Sequence, residues 1–211
     1  MDITIRALTP ELTDDYLEFF DYRAFTDGSP FYPCYCNAYN MSKQALEEDI
    51  IAKARAMGGS SESLRQLLRA SAGDMVQQGI IHGYLAYDGD VSVGWCNSGD
   101  RLSYYRVGAF DVDDVPDDDT ASVSCVERGQ IRSVVCFEIA PTHRGMGIAA
   151  MLLERVCADA AADGYMYVEG YPKADTKGLP AFTGPLRLYE KHGFTEHSRM
   201  GSTIVVRKIL R

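Results

Sequence analysis

Three signals predict an α+β fold built on a mixed, mostly antiparallel central sheet flanked by helices. Residues 83–87 (GYLAY) and 91–96 (VSVGWC) flank the turn Asp88-Gly89-Asp90 and read as a β-hairpin. Residues 131–139 (IRSVVCFEI) are apolar and β-branched, as a central strand requires, and Pro141 stops them. A glycine-containing turn then leads into helical periodicity over about 147–162, closed by Gly164.

The other elements fall in order around that centre. Residues 3–7 alternate apolar and polar and form a first strand. Thr9-Pro10 opens a helix whose Leu12, Tyr16, Phe19 and Phe20 share one stripe, and Asp27-Gly28-Ser29-Pro30 ends it. An aromatic loop, FYPCYCNAYN, fills 31–40. Two helical stretches follow, 43–57 and 61–78, with Gly58-Gly59 between them and Gly79 after. Beyond the hairpin, 97–130 is polar and holds the acidic run DVDDVPDDD at 111–119. A strand at 165–169, a loop rich in Gly and Pro at 170–185, a short helix at 186–192 and a last strand at 202–209 complete the order. With no repeat or linker, residues 1–211 are expected to form one domain, enlarged by a helical region at about 27–82 and an acidic loop at about 100–130.

Composition narrows the function. An apolar share of 46% with 24% charged residues suits a chain that builds its own core. The net charge of -9 argues against nucleic acid as the main partner, because phosphate backbones require a basic surface. The opening residues, MDITIRALTPEL, lack the basic and apolar regions of a secretory signal, and no run approaches a membrane span, so the expected location is cytoplasmic. The acidic run reads as a solvated loop, or as a lure for a cationic acceptor. Among the six cysteines, Cys136 and Cys157 lie in apolar patterns and read as buried free thiols.

The decisive segment is VVCFEIAPTHRGMGIAAMLLERV. A strand ends at Ile139-Ala140-Pro141, and Arg144-Gly145-Met146-Gly147-Ile148-Ala149 turns directly into a helix. The first turn of a helix leaves its N–H groups without intrahelical acceptors, and the helix dipole adds partial positive charge there. Glycine lets such a backbone lie against a bulky anion. Ile148, Leu152 and Val156 share a stripe that packs the helix on the sheet. Gly145, Gly147 and Ala150 also fit a loose dinucleotide fingerprint, with Glu169 ending the next strand, but no parallel βαβ repeat precedes them. A tight structural turn is the plainer alternative.

Arg144-x-x-Gly147-x-Ala149 resembles the acyl-CoA pyrophosphate motif of the GNAT superfamily of N-acetyltransferases, and Tyr189-Glu190-Lys191-His192-Gly193-Phe194 resembles its second hallmark. The matched motifs span about 131–194; the first 130 residues agree in element order only. The resemblance implies two central parallel strands, 131–139 and 165–169, that splay around the pantetheine arm of acetyl-CoA. It implies that backbone groups of Phe137 and Ile139 pair with that arm, and that Arg144, Gly145, Met146, Gly147, Ile148 and Ala149 hold the pyrophosphate. The implied reaction is direct attack of a primary amine, of a small molecule or peptide, on the thioester. Tyr189 would be the general acid, with a half-buried packing ring as the alternative. The family's base glutamate falls on Ser133, which leaves Glu138 as reserve candidate, and Phe182 replaces a common asparagine. A homodimer is compatible with the resemblance, and no metal is expected.

Phe31, Tyr32 and Tyr35 lie where the family builds its acceptor pocket, so the loop is a candidate substrate wall. Cys34 and Cys36 offer a metal site with Cys96 or His82, or a redox pair, against the plainer reading of loop packing near Trp95. His143 and His192 flank the two motifs and are expected to face solvent. A non-catalytic acyl-CoA-binding or sensory domain, and a transferase of longer acyl groups, stand as the competing functions.

Overall fold

The computed structural model describes residues 2–107, 110–111, 129–175 and 181–210. The acidic run beyond Asp111 and Cys125 lie outside the described residues. Strand β1 (Ile3–Ala7) leads through a 3-10 turn (Pro10–Leu12) into α1 (Thr13–Tyr22). Helix α2 (43–56) is π-helical over Leu46–Ala52, and α3 is Ser61–Gln77. Both start on serine caps: Ser42 Oγ accepts from the Ala45 N–H and Ser60 Oγ from the Ser63 N–H, each at 3.0 Å. The hairpin is β2 (Gly83–Asp88) and β3 (Val91–Asp100), and β4 (Arg106–Val107) pairs with β5 (Phe110–Asp111) as a small ribbon. Then come β6 (Ile131–Ile139), α4 (Ile148–Ala162), β7 (Tyr167–Gly170), α5 (Leu186–Lys191), β8 (Thr195–Met200) and β9 (Thr203–Ile209).

Seven strands form one sheet in the order β1-β2-β3-β6-β7-β9-β8. Only β6 and β7 run parallel; every other neighbouring pair in it is antiparallel. This is the expected mixed, mostly antiparallel sheet with helices on both faces. Strand β8 is the element the sequence did not announce. It lies at the edge, five of its six residues are exposed, and TEHSRM carries no apolar alternation. Strand β7 starts and ends later than predicted, and α1 begins after a 3-10 turn that Pro10 opens.

The hairpin and the central strand divide the core into two layers. Trp95 points to the α1 side, where Tyr16 meets it edge-on with ring centroids 4.9 Å apart. Gly94 points the other way: a side chain there would come within 3.1 Å of Ile148 on α4 and 3.0 Å of Ile139. Leu152, Leu153, Val156 and Ala160 of α4 are fully buried on that face. Burying each of the three larger ones contributes about 1.5–3 kcal/mol, which anchors the helix start rigidly beside the end of β6. Among the described residues no helix is long and apolar enough to cross a membrane.

Two irregularities position the site. In the β3–β6 ladder Asn97 faces Cys136 but Ser98 faces Val134, so Val135 is an extra residue, a bulge. Ser133 and Val135 therefore point to the same face as Cys136 and Glu138, while Phe137 and Ile139 point toward α4 and α5. The second is the splay. Strands β6 and β7 pair only from Ile131–Tyr167 to Val134–Gly170. Beyond Gly170 the chain keeps to β9, through Ile204 N–H to the Pro172 carbonyl (2.8 Å) and Ala174 N–H to the Ser202 carbonyl (2.9 Å), while β6 keeps to β3.

Candidate active site

The splay leaves the last residues of β6 with backbone groups on one side only. The Ala140 N–H donates to the Val93 carbonyl (2.9 Å), so Glu138 and Cys136 direct their backbone polar groups at β3. Phe137 and Ile139 direct theirs into the splay. The Phe137 N–H donates to the Phe182 carbonyl at 2.5 Å, so this group, expected to be open to a pantetheine arm, is taken. The Phe137 carbonyl has no donor and the Ile139 N–H no acceptor among the described residues.

At the end of β6 the chain makes a 3-10 turn, Pro141–His143, and enters α4 through Arg144 to Gly147. Gly145 and Gly147 have φ of +78° and +83°, a left-handed backbone that costs other residues about 1–2 kcal/mol, and a Cβ on either would meet nothing within 4 Å. The N–H groups of Gly145, Met146, Gly147, Ile148 and Ala149 have no backbone acceptor among the described residues, and the turn is exposed from Arg144 to Gly147. An exposed row of donors at the positive end of a fifteen-residue helix fits a pyrophosphate without displacing any side chain.

Arg144 does something other than face that turn. Its Nε donates to the Ile139 carbonyl (3.0 Å), Nη2 to Glu138 Oε1 (3.2 Å) and Nη1 to Asp27 Oδ2 (2.5 Å). Its guanidinium braces the loop and leaves the anion to the backbone. Glu138 is 4% exposed, and burial pushes its carboxyl up to about 7 although Arg144 pulls it down. A carboxyl poised there exchanges protons near neutral pH, as a general base must.

On the opposite face Tyr189 is fully buried, 6.4 Å from the Phe137 ring by centroids, and its hydroxyl donates to the Thr183 carbonyl at 2.6 Å. Burial raises its phenol well above the ordinary value, so it holds its proton. The ring is fully enclosed rather than half-buried, and it packs against Phe137 and Phe194. Gly170 makes room for it, since a Cβ there would overlap the ring and lie 2.8 Å from its hydroxyl oxygen. Ser133 is fully buried and hydrogen-bonded to Tyr171 Oη (2.8 Å), which donates to Glu169 Oε2 (3.0 Å); Arg207 holds the other carboxylate oxygen.

The aromatic loop divides. Phe31 and Tyr32 are 36% and 45% exposed, and Phe31 meets Phe182 edge-on at 4.3 Å, which joins the loop to the segment closing the splay. Tyr35 is corrected as a substrate contact: it is 1% exposed, its hydroxyl donates to Asp21, and its carbonyl accepts from Tyr16. Asp21 also takes Arg65 (3.1 Å) and Arg69 (2.8 Å), which fastens the loop between α1 and α3. Cys36 is buried with φ +56°, its carbonyl receives Asn97 Nδ2 at 2.9 Å, and against the effect of burial its thiol is lowered by hydrogen bonds from Cys136 and from Asn97 Nδ2, the latter at 3.4 Å. Cys96 lies on the other face, in line with Gly94, so it cannot join Cys34 and Cys36. Among the described residues no three His, Cys, Asp or Glu side chains gather as a metal site would need. His143 and His192 are corrected too: they are half-buried against Asp88 (3.5 Å) and Glu154 (3.2 Å) rather than facing solvent. Asp27 is the participant that sequence reasoning missed, because it reads as an ordinary turn residue 117 positions before its partner.

A bulged central strand, a splayed parallel pair and an open N–H turn define the fold of an acyl-coenzyme transferase. The acetyltransferase (GNAT) domain family matches residues 80–196, more than half of the sequence, and the chain belongs to that family. Acetyl transfer is the general activity this membership carries. Solved structures share the fold: an N-acetyltransferase from Staphylococcus aureus Mu50 (14% identity, 100% of both chains, TM-score 0.53); yncA from Salmonella typhimurium, solved with its cofactor acetyl-CoA (14%, 100% of this chain and 95% of that one, 0.53); and the GNAT domain of S. lividans PAT (14%, 98% and 89%, 0.52). At such identity the likeness is one of fold. No curated protein matches the sequence.

Proposed function

We propose that the protein transfers an acetyl group from acetyl-CoA to a primary amine of a small molecule or peptide. The observation that carries this reading is the open N–H turn at the end of β6 directly beside Glu138, a buried carboxyl with a pKa near 7. Acetyl-CoA bound to the fold in yncA supports the choice of donor. The coenzyme supplies an activated thioester; the residues of this chain bind it, orient it and move protons. The N–H groups of Gly145 to Ala149 hold the pyrophosphate, and the Phe137 carbonyl and Ile139 N–H face the pantetheine arm. Glu138 accepts the proton of the arriving ammonium, directly or through water, so that a neutral amine attacks. Tyr189, kept protonated by burial, turns its hydroxyl from Thr183 and protonates the leaving thiolate. Phe31 and Tyr32 form the acceptor wall.

One observation favours a coenzyme-binding domain without turnover: the Tyr189 hydroxyl and the Phe137 N–H are both engaged by the 182–183 segment. Calorimetric titration with acetyl-CoA, paired with a thiol-release assay over a panel of primary amines, separates the two. The wild type and Tyr189→Phe should bind, Gly147→Asp should not, and only the wild type should turn over at full rate. Absence of binding to folded wild type overturns coenzyme use. Binding with no turnover on any amine leaves the sensory reading.

A further inference from the structure

Arg144 opens the R-x-x-G-x-A segment, yet its cation is shared by two carboxylates, one six residues before it and one 117 residues before it. Glu138 reaches it from β6 and Asp27 from the turn after α1, at 3.2 Å and 2.5 Å. Arg144 is 38% exposed at its side chain and Asp27 32%, while Glu138 is 4% exposed. The cluster is thus open to water on the Asp27 side and closed on the Glu138 side. Exposed on its own, the Asp27–Arg144 pair would be worth little. Its consequence lies in what it does to the third member.

We propose that Asp27 is a positioning residue for acetyl transfer, holding Arg144 between the coenzyme turn and Glu138 and thereby setting how readily Glu138 takes a proton. The inference rests on Glu138 being the base. Alone beside Glu138, the guanidinium would hold the carboxylate form strongly and make it a poor proton acceptor. Asp27 opposes this in two ways, by claiming one edge of the guanidinium and by adding its own negative potential. Removing Arg144 instead leaves burial unopposed, so Glu138 would keep its proton at neutral pH. A base of middle strength needs both partners.

Among the described residues, the thiols of Cys34 and Cys36 of the aromatic loop and of Cys136 of β6 also act on Glu138. Cys34, pushed up to about 12, and Cys136, raised well above its ordinary value by the adjoining Cys36 and by burial, are uncharged at neutral pH. Cys36 is the thiol lowered by its donors, so its replacement by serine is the control for a contribution from that side. The open turn adjoins Arg144, so the negative charge of an anion held there by the backbone opposes the pull of the guanidinium on Glu138.

The test uses full-length protein labelled with carbon-13 at the glutamate side-chain carboxyls, followed by NMR across pH, with the Glu138 signal assigned by its loss in Glu138→Gln. Asp27→Asn should lower the Glu138 midpoint, Arg144→Gln should raise it, and Asp27→Glu should restore it. Coenzyme A should raise it in the wild type. The acidic limb of kcat/KM, measured on any primary amine that is turned over, should move in the same opposite directions. If Asp27→Asn or Arg144→Gln unfolds, Asp27→Ser and the uncharged Arg144→Met carry the comparison. Unmoved midpoints, or midpoints moving together, would overturn the role of Asp27 while Glu138 remains the base. Full turnover in Glu138→Gln would instead overturn the base assignment itself.

Discussion

Replacing Glu138 with glutamine preserves the shape of the side chain and an oxygen for Arg144 but removes the proton equilibrium. In the folded protein this carboxyl is pushed from 4.5 up to about 7, chiefly by burial. The unfolded chain restores its ordinary value, so between the two values the folded state binds the extra proton. Stability then falls as pH rises: the contribution is fully present below the unfolded value and is lost as pH passes through the folded one. The gap from 4.5 to about 7, at about 1.4 kcal/mol per pH unit, corresponds to about 3 kcal/mol. Glu138→Gln should therefore be close to wild type in stability at low pH and gain about 3 kcal/mol over it by about pH 8. Urea unfolding of both proteins at closely spaced pH values measures the difference curve. A difference that stays flat across this range would mean that Glu138 titrates as an ordinary surface carboxylate, and the case for a base at neutral pH would go with it.

Two further substitutions probe the frame of the site. Gly170→Ala places a methyl group inside the Tyr189 ring position, and overpacking of this kind costs about 1–3 kcal/mol; thermal unfolding should show the loss, with turnover falling further than coenzyme affinity. Asp21→Asn leaves Arg65 and Arg69 without their shared carboxylate and weakens the tie to Tyr35. It should cost about 2 kcal/mol, below the figure for a fully buried pair because both arginines keep water, and limited proteolysis should cut the 31–40 loop faster.

Much of this architecture was legible because its signals are local. The hairpin, the apolar run of β6 and the glycine turn each declare themselves within about fifteen residues, and the turn carries its own chemical logic in unpaired N–H groups. What stayed hidden depends on distance or on phase. Edge strand β8 has no buried face to impose a pattern. Tyr35 belongs to a run of aromatics in which only tertiary contact decides which ring is buried. Asp27 looks like any turn aspartate until the fold brings it to Arg144. The face to which Glu138 points could not be counted from Ser133 by simple alternation, because Val135 interrupts the count.

That extra residue has a consequence for how the site could be lost. Deleting Val135 would leave the length and hydrophobicity of β6 nearly intact, and the ladder with β3 would gain regularity. Because Val135 is the residue left over between the Ser98–Val134 and Asn97–Cys136 pairs, the side chains on both sides of that deletion would keep their faces. A one-residue deletion between Ser133 and Glu138 that left the bulge in place would do the opposite: with the Ile139 end held, Ser133 would be driven from Tyr171 into the α4 layer, and with the Ser133 end held, Glu138 would face Tyr189 and lose Arg144. The protein would then resemble a reading-frame error written in three dimensions: a well-formed sheet that spells the wrong site. A one-residue deletion in β6 thus keeps or destroys the site according to whether the bulge goes with it, a distinction that secondary-structure content does not reveal.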